Sequence, residues 1–342
     1  MLCLTKNFNV YLLMTKNITI TVITVTYNAA ATLQRCMDSV SSQIVPEMVR
    51  LEHLIVDGQS TDETLSIIQE WESSSSCHFR RYVSEKDNGL YDAMNKGARL
   101  AQGQILVFLN ADDQFADASS VSRSIAPILS GDSDYVCAPA IVISPRGKYS
   151  HVQYPDLSLP YLNHPFNTQT MFVKRADFLR LGGHDLSFKV AGDDEFDCKL
   201  IAANLKVVSL AEPTVIAQDG GFGVTHYYAH ERARLLQSYQ SEILGKCLAD
   251  RRYAVEYFLS LMRISKVHPS SASSEERQQA GQILQNLHAA GRSHWPWICR
   301  VLSRLSEKLI LEPIQNHQSV EKLSLRNAVV SICLRVCMIL TY

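Results

Sequence analysis

The 342-residue sequence predicts an α/β fold: a mostly parallel, twisted sheet flanked by helices, continued by a C-terminal helical extension. Three observations carry that prediction. Apolar, β-branched runs recur at residues 18–26, 51–57 and 105–109; amphipathic helical segments separate them; and each run closes on polar residues. Strands that alternate with helices build parallel sheets, because a parallel partner can only be reached by a long crossover.

Each element follows from its residues. ITITVITVT, 18–26, is β-branched almost throughout, which suits a buried strand, and Tyr27-Asn28 ends it. Leu33, Cys36, Met37 and Val40 then share one helical face. LEHLIVD is the second strand and closes on Asp57. In GQSTDETLSIIQEW, Ser60 with Glu63 three residues on is the pattern of a capping box at a helix start. Tyr82-Val83-Ser84 is a short strand leading to EKDNGLYDAMNKGARLA, where Ala93, Lys96, Gly97 and Leu100 recur at helical spacing. ILVFL, 105–109, is the next strand. Beyond residue 115 the pattern loosens. Residues 134–144 read as one strand, 145–147 as a turn and 148–154 as the returning arm of a hairpin. Residues 155–170 are Pro- and Asn-rich loop. A helix ends on Gly182-Gly183, a C-cap signal. Residues 191–203 form a helix opened by acids, 207–210 a short strand, and 225–267 one or two helices before the polar break at 268–276.

With 46% hydrophobic and 20% charged residues the composition is globular, and the length suits about two domains. The expected division is an extension over 1–17, an α/β domain over 18–230 with halves at 18–115 and 116–230, and a helical region over 231–342. The extension is either disordered or a mis-called start, since Met14 stands just before the first strand. The net charge of −1 is uneven: residues 231–342 hold 15 Lys/Arg against 9 Asp/Glu, residues 1–230 hold 18 against 25. A basic tail suits an anionic surface such as a membrane, and no nucleic-acid partner is expected. Nine cysteines, an odd number without a CxxC pair, fit a reducing cytoplasm. MLCLTKNFNVYLL lacks the basic n-region and cleavage site of a signal peptide, and no apolar stretch reaches the roughly 18 residues of a membrane span.

Ligands of open α/β sheets bind outside the carboxyl ends of the strands. Thr26-Tyr27-Asn28, Asp57 and Asp112-Asp113 should therefore converge on one rim. There is no GxxxxGK[ST], and no GxGxxG follows the first strand, which argues against a P-loop or a dinucleotide site. Asp112-Asp113 can be an acidic turn, or a pair of carboxylates whose repulsion a hard divalent cation offsets. Glu85-Lys86-Asp87, before the Asn88-Gly89 turn, can be a solvated charge run, and Lys86 and Lys96 can each meet a diphosphate. Asp193-Asp194-Glu195 can be acids favoured by a helix N-terminus, or can include a general base. His164 and His226 fall in loops near the expected rim.

Together, TVITVTYNAAATLQRCMDSVSSQ, HLIVDGQSTDETLSII and VSEKDNGLYDAMNKGARLAQGQILVFLNADD resemble the nucleotide-sugar half of the family 2 glycosyltransferases, which have the GT-A fold. TQTMFVKR, LGGHD, AGDDEF and DGGFG extend the likeness over 163–223, and it fades beyond about 235. The resemblance implies that Thr26, Tyr27 and Asn28 hold the base and ribose of the donor, that Asp57 hydrogen-bonds the base, and that Glu85, Lys86 and Asp87 lie beside the donor. Asn110-Ala111-Asp112 falls on the family's DxD motif, with Asp112 as the metal-binding acid and Mn²⁺ or Mg²⁺ as the cofactor. Asn110 departs from the motif: it can still bond a sugar hydroxyl, but the metal site carries less charge unless Asp113 assists. Asp193 matches the catalytic base, with Asp194 the alternative in that run of acids. No QxxRW follows, which argues against a processive synthase.

The implied reaction is inverting transfer from a nucleotide-diphosphate sugar to a hydroxyl of a glycan acceptor, lipid-linked, in surface-polysaccharide assembly at the cytoplasmic face of the membrane. The basic tail, with Tyr253, Tyr257, Phe258, Trp295 and Trp297, either packs on the catalytic domain or forms a membrane-facing patch. Two rivals stand beside this reading. A non-catalytic binder of nucleotide sugars or glycans has Asn110 in its favour. A sugar-phosphate nucleotidyltransferase would want a glycine- and arginine-rich loop after the first strand, which TYNAAATLQR is not.

Overall fold

A computed structural model describes residues 18–74, 76–144, 147, 150–162, 164–219, 226–250, 253, 256, 257 and 260, with backbone alone at 226–230, 244 and 248. The expectations for 1–17, 145–146, 268–276, Phe258, Trp295 and Trp297 lie outside these residues. The chain divides into two compact units: 1–157 with 164–221, and 158–163 with 222–342.

The first unit is built on a seven-stranded sheet in the order β10-β6-β9-β4-β1-β2-β3. β1 (Ile18–Thr26), β2 (Val49–Asp57), β3 (Phe79–Ser84) and β4 (Ile105–Phe108) are mutually parallel. The carboxyl ends of β1, β2 and β3 are therefore level, with Thr26 opposite Asp57 and Asp57 opposite Ser84, while β4 ends at Phe108 opposite Ile23 and Asn110 follows it toward the same rim. The helices between them are α1 (Leu33–Ser41), α2 (Thr64–Ser73) and α3 (Leu90–Leu100). Met94 and Ala98 of α3 pack with Ile23, Leu54 and Val56, while Cys36 and Val40 of α1 pack with Ile20, Val22 and Val107. A sheet covered on both faces reads as continuous apolar strands, which is why β1 is buried from Ile20 to Thr26.

After β4 come β5 (Gln114–Phe115), α4 (Ser120–Leu129), β6 (Tyr135–Cys137), β7 (Ala140–Ile143) and β8 (Ser150–Gln153). A 3₁₀ turn at Thr168–Thr170 precedes β9 (Phe172–Lys174) and α5 (Arg175–Arg180). α6 (Gly192–Ala202), β10 (Val207–Ser209) and β11 (Val215–Gln218) complete the unit. β9 runs antiparallel between β4 and β6, and a second sheet has the order β5-β11-β7-β8.

Several sequence expectations are corrected here. Residues 134–144 are not one strand: β6 joins the large sheet and β7 the small one, with Ala138-Pro139 at the switch, where proline has no N–H to continue a ladder. The Ser60/Glu63 capping box does not form. α2 starts at Thr64, whose N–H bonds Asp62 Oδ1 at 3.0 Å, because the Asp57 carboxylate captures Ser60. His226 opens a helix rather than lying in a loop. The expected hairpin is present as the antiparallel pair β7–β8, and the Gly182-Gly183 stop as two residues at φ 84° and 64°.

In the second unit, α7 (His226–Ser238) and α8 (Gln240–Ala249) bury Ala233, Leu235, Leu236, Ile243 and Cys247. The Arg232 guanidinium donates to the carbonyls of Tyr161 and Leu162, and Tyr161 stacks on Tyr239. Tyr253 and Tyr257 are core residues, 3% and 0% exposed, so they contribute nothing to an exposed aromatic patch. Among the described residues no helix is long and apolar enough to cross a membrane.

Candidate active site

The rim is organised by a hydrogen-bond network rooted in Asp57. This carboxylate is fully buried. It accepts the Ser60 hydroxyl at 2.5 Å, the Ser60 N–H at 3.1 Å and the Ser84 hydroxyl at 2.6 Å. Ser60 Oγ in turn accepts the Asn28 N–H at 2.8 Å, and Asn28 Oδ1 accepts the Thr61 N–H at 2.8 Å. Asn28 is in the left-handed region, φ 51°, which asparagine tolerates better than most residues. Asp57 therefore acts here as a buttress for the β1–β2 loops, while Tyr27, 63% exposed, presents its ring at the surface beside Gly58.

Asp87 sits against Gly58: a Cβ on that glycine would lie 2.5 Å from Asp87 Oδ2. Glu85 is ion-paired with Lys96 at 2.8 Å, and the same ammonium donates to the Lys86 carbonyl at 3.2 Å. Lys96 thus fastens the 85–87 loop, whereas the Lys86 side chain is exposed.

The adjacent acids after β4 are not equivalent. Asp113 is buried and accepts the Gln218 N–H of β11 at 2.9 Å. Burial, then the charge of Asp112, pushes its carboxyl up to about 7. Asp112 is half-buried. Asn110 Oδ1 is buried with no hydrogen-bond partner among the described residues. A carboxylate and an amide oxygen are hard donors, the class that divalent magnesium or manganese accepts.

Asp193 lies in the first turn of α6. Its Oδ1 accepts the Asp194 N–H at 2.9 Å and lies 3.1 Å from the Tyr91 hydroxyl, and its Oδ2 is 3.4 Å from Thr168 Oγ1. Burial raises its pKa, with nearby His164 opposing and Asp194 reinforcing the shift. Asp194 is buried, and its Oδ1 is 2.6 Å from His164 Nδ1, with Asp197 Oδ2 at 3.5 Å from the same nitrogen. Burial disfavours the imidazolium, but Asp194 outweighs it and lifts the His164 pKa to about 10. Ligand atoms of His164, Asp194 and Asp197 lie within 4.8 Å of one another. In this structure His164 and Asp194 form an ion pair. It leaves Asp193 as the half-buried acid of the run and Asp194 as the occupied one.

The structure thus gathers Thr26, Asn28 and Asp57 at the level ends of β1 and β2, sets Asp87 beside them, and distinguishes Asp112 from Asp113 and Asp193 from Asp194. Tyr91 and Thr168 were missed from the sequence. No local pattern signals either one, since Tyr91 lies 102 positions from Asp193 and Thr168 lies 25 from it.

Residues 21–191 match the Glycosyl transferase family 2 model. A PGL/p-HBAD biosynthesis glycosyltransferase of Mycobacterium bovis (strain BCG / Pasteur 1173P2) is 32% identical over 201 residues, 58% of this chain and 75% of the relative. Among solved structures, S. aureus TarS superposes with a TM-score of 0.61 at 19% identity over 87% of this chain; the match spans about half, 53%, of TarS. Its 1–349 portion in complex with UDP gives 0.59 at 18% identity, covering 89% and 93% of the two chains. The mannosyltransferase PcManGT from Pyrobaculum calidifontis, in complex with GDP-Man and Mn²⁺, gives 0.51 at 19% identity, covering 96% and 93%. These structures share the GT-A-type sheet flanked by helices. With half of its length matched by the family model, and an α/β rim built from the same ordered segments, the chain belongs to glycosyl transferase family 2 and is a nucleotide-sugar-dependent glycosyltransferase.

Proposed function

We propose that this chain transfers a glycosyl group, with inversion, from a nucleoside-diphosphate sugar to a hydroxyl of a lipid-linked glycan in surface-polysaccharide assembly. The observation that carries the reading is Asp193. It is a carboxylate in the first turn of a helix, oriented by three neighbouring donors, with its pKa raised by burial. Asp193 takes the proton of the acceptor hydroxyl. The acceptor oxygen bonds to the anomeric carbon from the face opposite the nucleotide, and the bond from that carbon to the diphosphate oxygen breaks.

Thr26, Tyr27 and Asn28 border the base and ribose, with Asp57 holding Ser60 and Asn28 in place behind them, and Glu85, Lys86 and Asp87 flank the donor. Asp112 and the Asn110 side-chain oxygen suit Mn²⁺ or Mg²⁺, with Asp113 set behind them. When bound, such a cation neutralises negative charge on the departing diphosphate. The net basic residues 231–342 support a lipid-linked acceptor met at the cytoplasmic face of a membrane. Flotation of the full chain with anionic liposomes at low salt tests that contact, and absence from the lipid fraction removes it. For the chemistry, Asp193→Asn should keep donor binding and lose transfer; turnover at the wild-type rate would refute the assignment.

A further inference from the structure

Helix α3 carries two sets of contacts that no motif reading joins. At one side Lys96 holds the loop at 85–87 through the Glu85 carboxylate and the Lys86 carbonyl. At the other, α3 is tied to the segment that ends on Asp193. Asn95 Nδ2 donates to the His184 carbonyl at 2.8 Å, and the His184 N–H returns a bond to Asn95 Oδ1 at 2.9 Å. The His184 ring continues the tie: its Nδ1 lies 3.1 Å from the Gly192 carbonyl. A carbonyl only accepts, so Nδ1 carries the hydrogen. Tyr91 completes the set, with its hydroxyl 2.7 Å from the Val190 carbonyl and 3.1 Å from Asp193 Oδ1. Its ring fills the space that a side chain at position 192 would need.

We propose that Tyr91 is a positioning residue for the base, holding the Asp193 carboxyl in one orientation before and after proton transfer. The argument rests on the reading of Asp193 as the base. A phenol has one hydrogen to give and lone pairs to accept with. While Asp193 is ionised, the hydroxyl donates to it or to the nearer Val190 carbonyl. Once Asp193 has taken the acceptor's proton on the oxygen that faces the acceptor, its Oδ1 accepts less strongly and the phenol hydrogen passes to the Val190 carbonyl. In both charge states the hydroxyl has an acceptor within reach at unchanged heavy-atom positions, so the carboxyl need not rotate during turnover. Because the same helix holds the donor loop, the distance between donor and base is set by one rigid element.

The test compares Tyr91→Phe, Gly192→Ala and Asp193→Asn in steady-state transfer and in donor binding by calorimetry. Tyr91→Phe should lower kcat by about 10- to 100-fold with the donor affinity and KM within twofold of wild type, since misplacement of a catalytic group costs that much. Gly192→Ala keeps the hydroxyl but displaces the ring, and should lower kcat in the same way. Should Tyr91→Phe fail to bind donor at all, Gly192→Ala decides by the same criterion. If Asp193→Asn is inactive while Tyr91→Phe turns over within twofold of wild type, the positioning role is overturned and the base stands. If Asp193→Asn transfers normally, the base reading itself falls, and the proposal with it.

Discussion

His164 Nδ1 lies 2.6 Å from Asp194 Oδ1, and the pair joins the loop at residue 164 to the first turn of α6. The folded pKa of His164, about 10, is above the ordinary 6.5, so the pair's stabilisation is complete below about pH 6.5 and is lost as pH rises through about 10. His164→Gln should lower stability at pH 6 by about 2 kcal/mol, less than the 3–5 of a fully buried pair because the imidazole is 27% exposed. In thermal melts that is a drop of about 5 °C. The gap between variant and wild type should close towards pH 10; an unchanging gap would show that the pair is not charged.

Asp112→Ala removes the acid proposed to hold the cation. Donor hydrolysis scanned over UDP-, GDP- and dTDP-sugars, with and without Mn²⁺, should show metal-dependent release of one nucleoside diphosphate by wild type. The variant should be slower by at least about 100-fold, the usual loss when a charge-stabilising group is removed. Equal metal-stimulated rates for the two proteins would place the metal elsewhere.

Ser60→Ala leaves the buried Asp57 carboxylate short of a hydroxyl and the Asn28 N–H without its acceptor. A buried carboxylate that loses a hydrogen bond costs about 1–3 kcal/mol, so urea unfolding should detect the change. Nucleotide affinity should weaken as well, because Asn28 and Thr61 are held through the same network. An unaltered affinity would mean that this network serves the fold alone.

Gly97→Ala and Gly245→Ala form a matched pair. Helix propensity favours alanine at both by about 1 kcal/mol. At Gly97, however, the new Cβ would lie 2.5 Å from Ile23 Cγ2 and 3.2 Å from Val56 Cγ2, and overpacking of that kind costs about 1–3 kcal/mol. Gly245 meets no described atom within 4 Å. Denaturation midpoints should therefore fall for Gly97→Ala and rise for Gly245→Ala.

What the sequence disclosed was local. Ile18–Thr26 announces itself because every residue is apolar or β-branched, and Leu33, Cys36, Met37 and Val40 because their spacing follows one helix face. Gly182-Gly183 announces a helix stop because both positions take left-handed φ. What it withheld depends on pairing across distance. β5, β9 and β11 are two to four residues long, too short for periodicity, and exist because distant strands receive them. Ser60 was misread because a serine three residues before a glutamate looks the same whether or not a carboxylate three residues earlier captures its hydroxyl. Tyr91 meets Asp193 across 102 positions, and no local pattern encodes that contact. The neighbours Asp112 and Asp113 look alike in sequence, yet one is half-buried while the other is sealed beneath β11.

The antiparallel position of β9 between β4 and β6 also bears on how the chain is made. β1 to β4 span residues 18–108 and pair among themselves, so a four-stranded sheet can assemble as soon as that stretch has left the ribosome. Until Phe172–Lys174 emerges, the β4 side of this sheet is an open apolar edge, the kind that templates strand addition between nascent chains. Sixty-odd residues must be synthesised across that interval. Truncation just before β9 should therefore yield an aggregating product rather than a small soluble domain, and the three-residue strand is the chain's own edge protection.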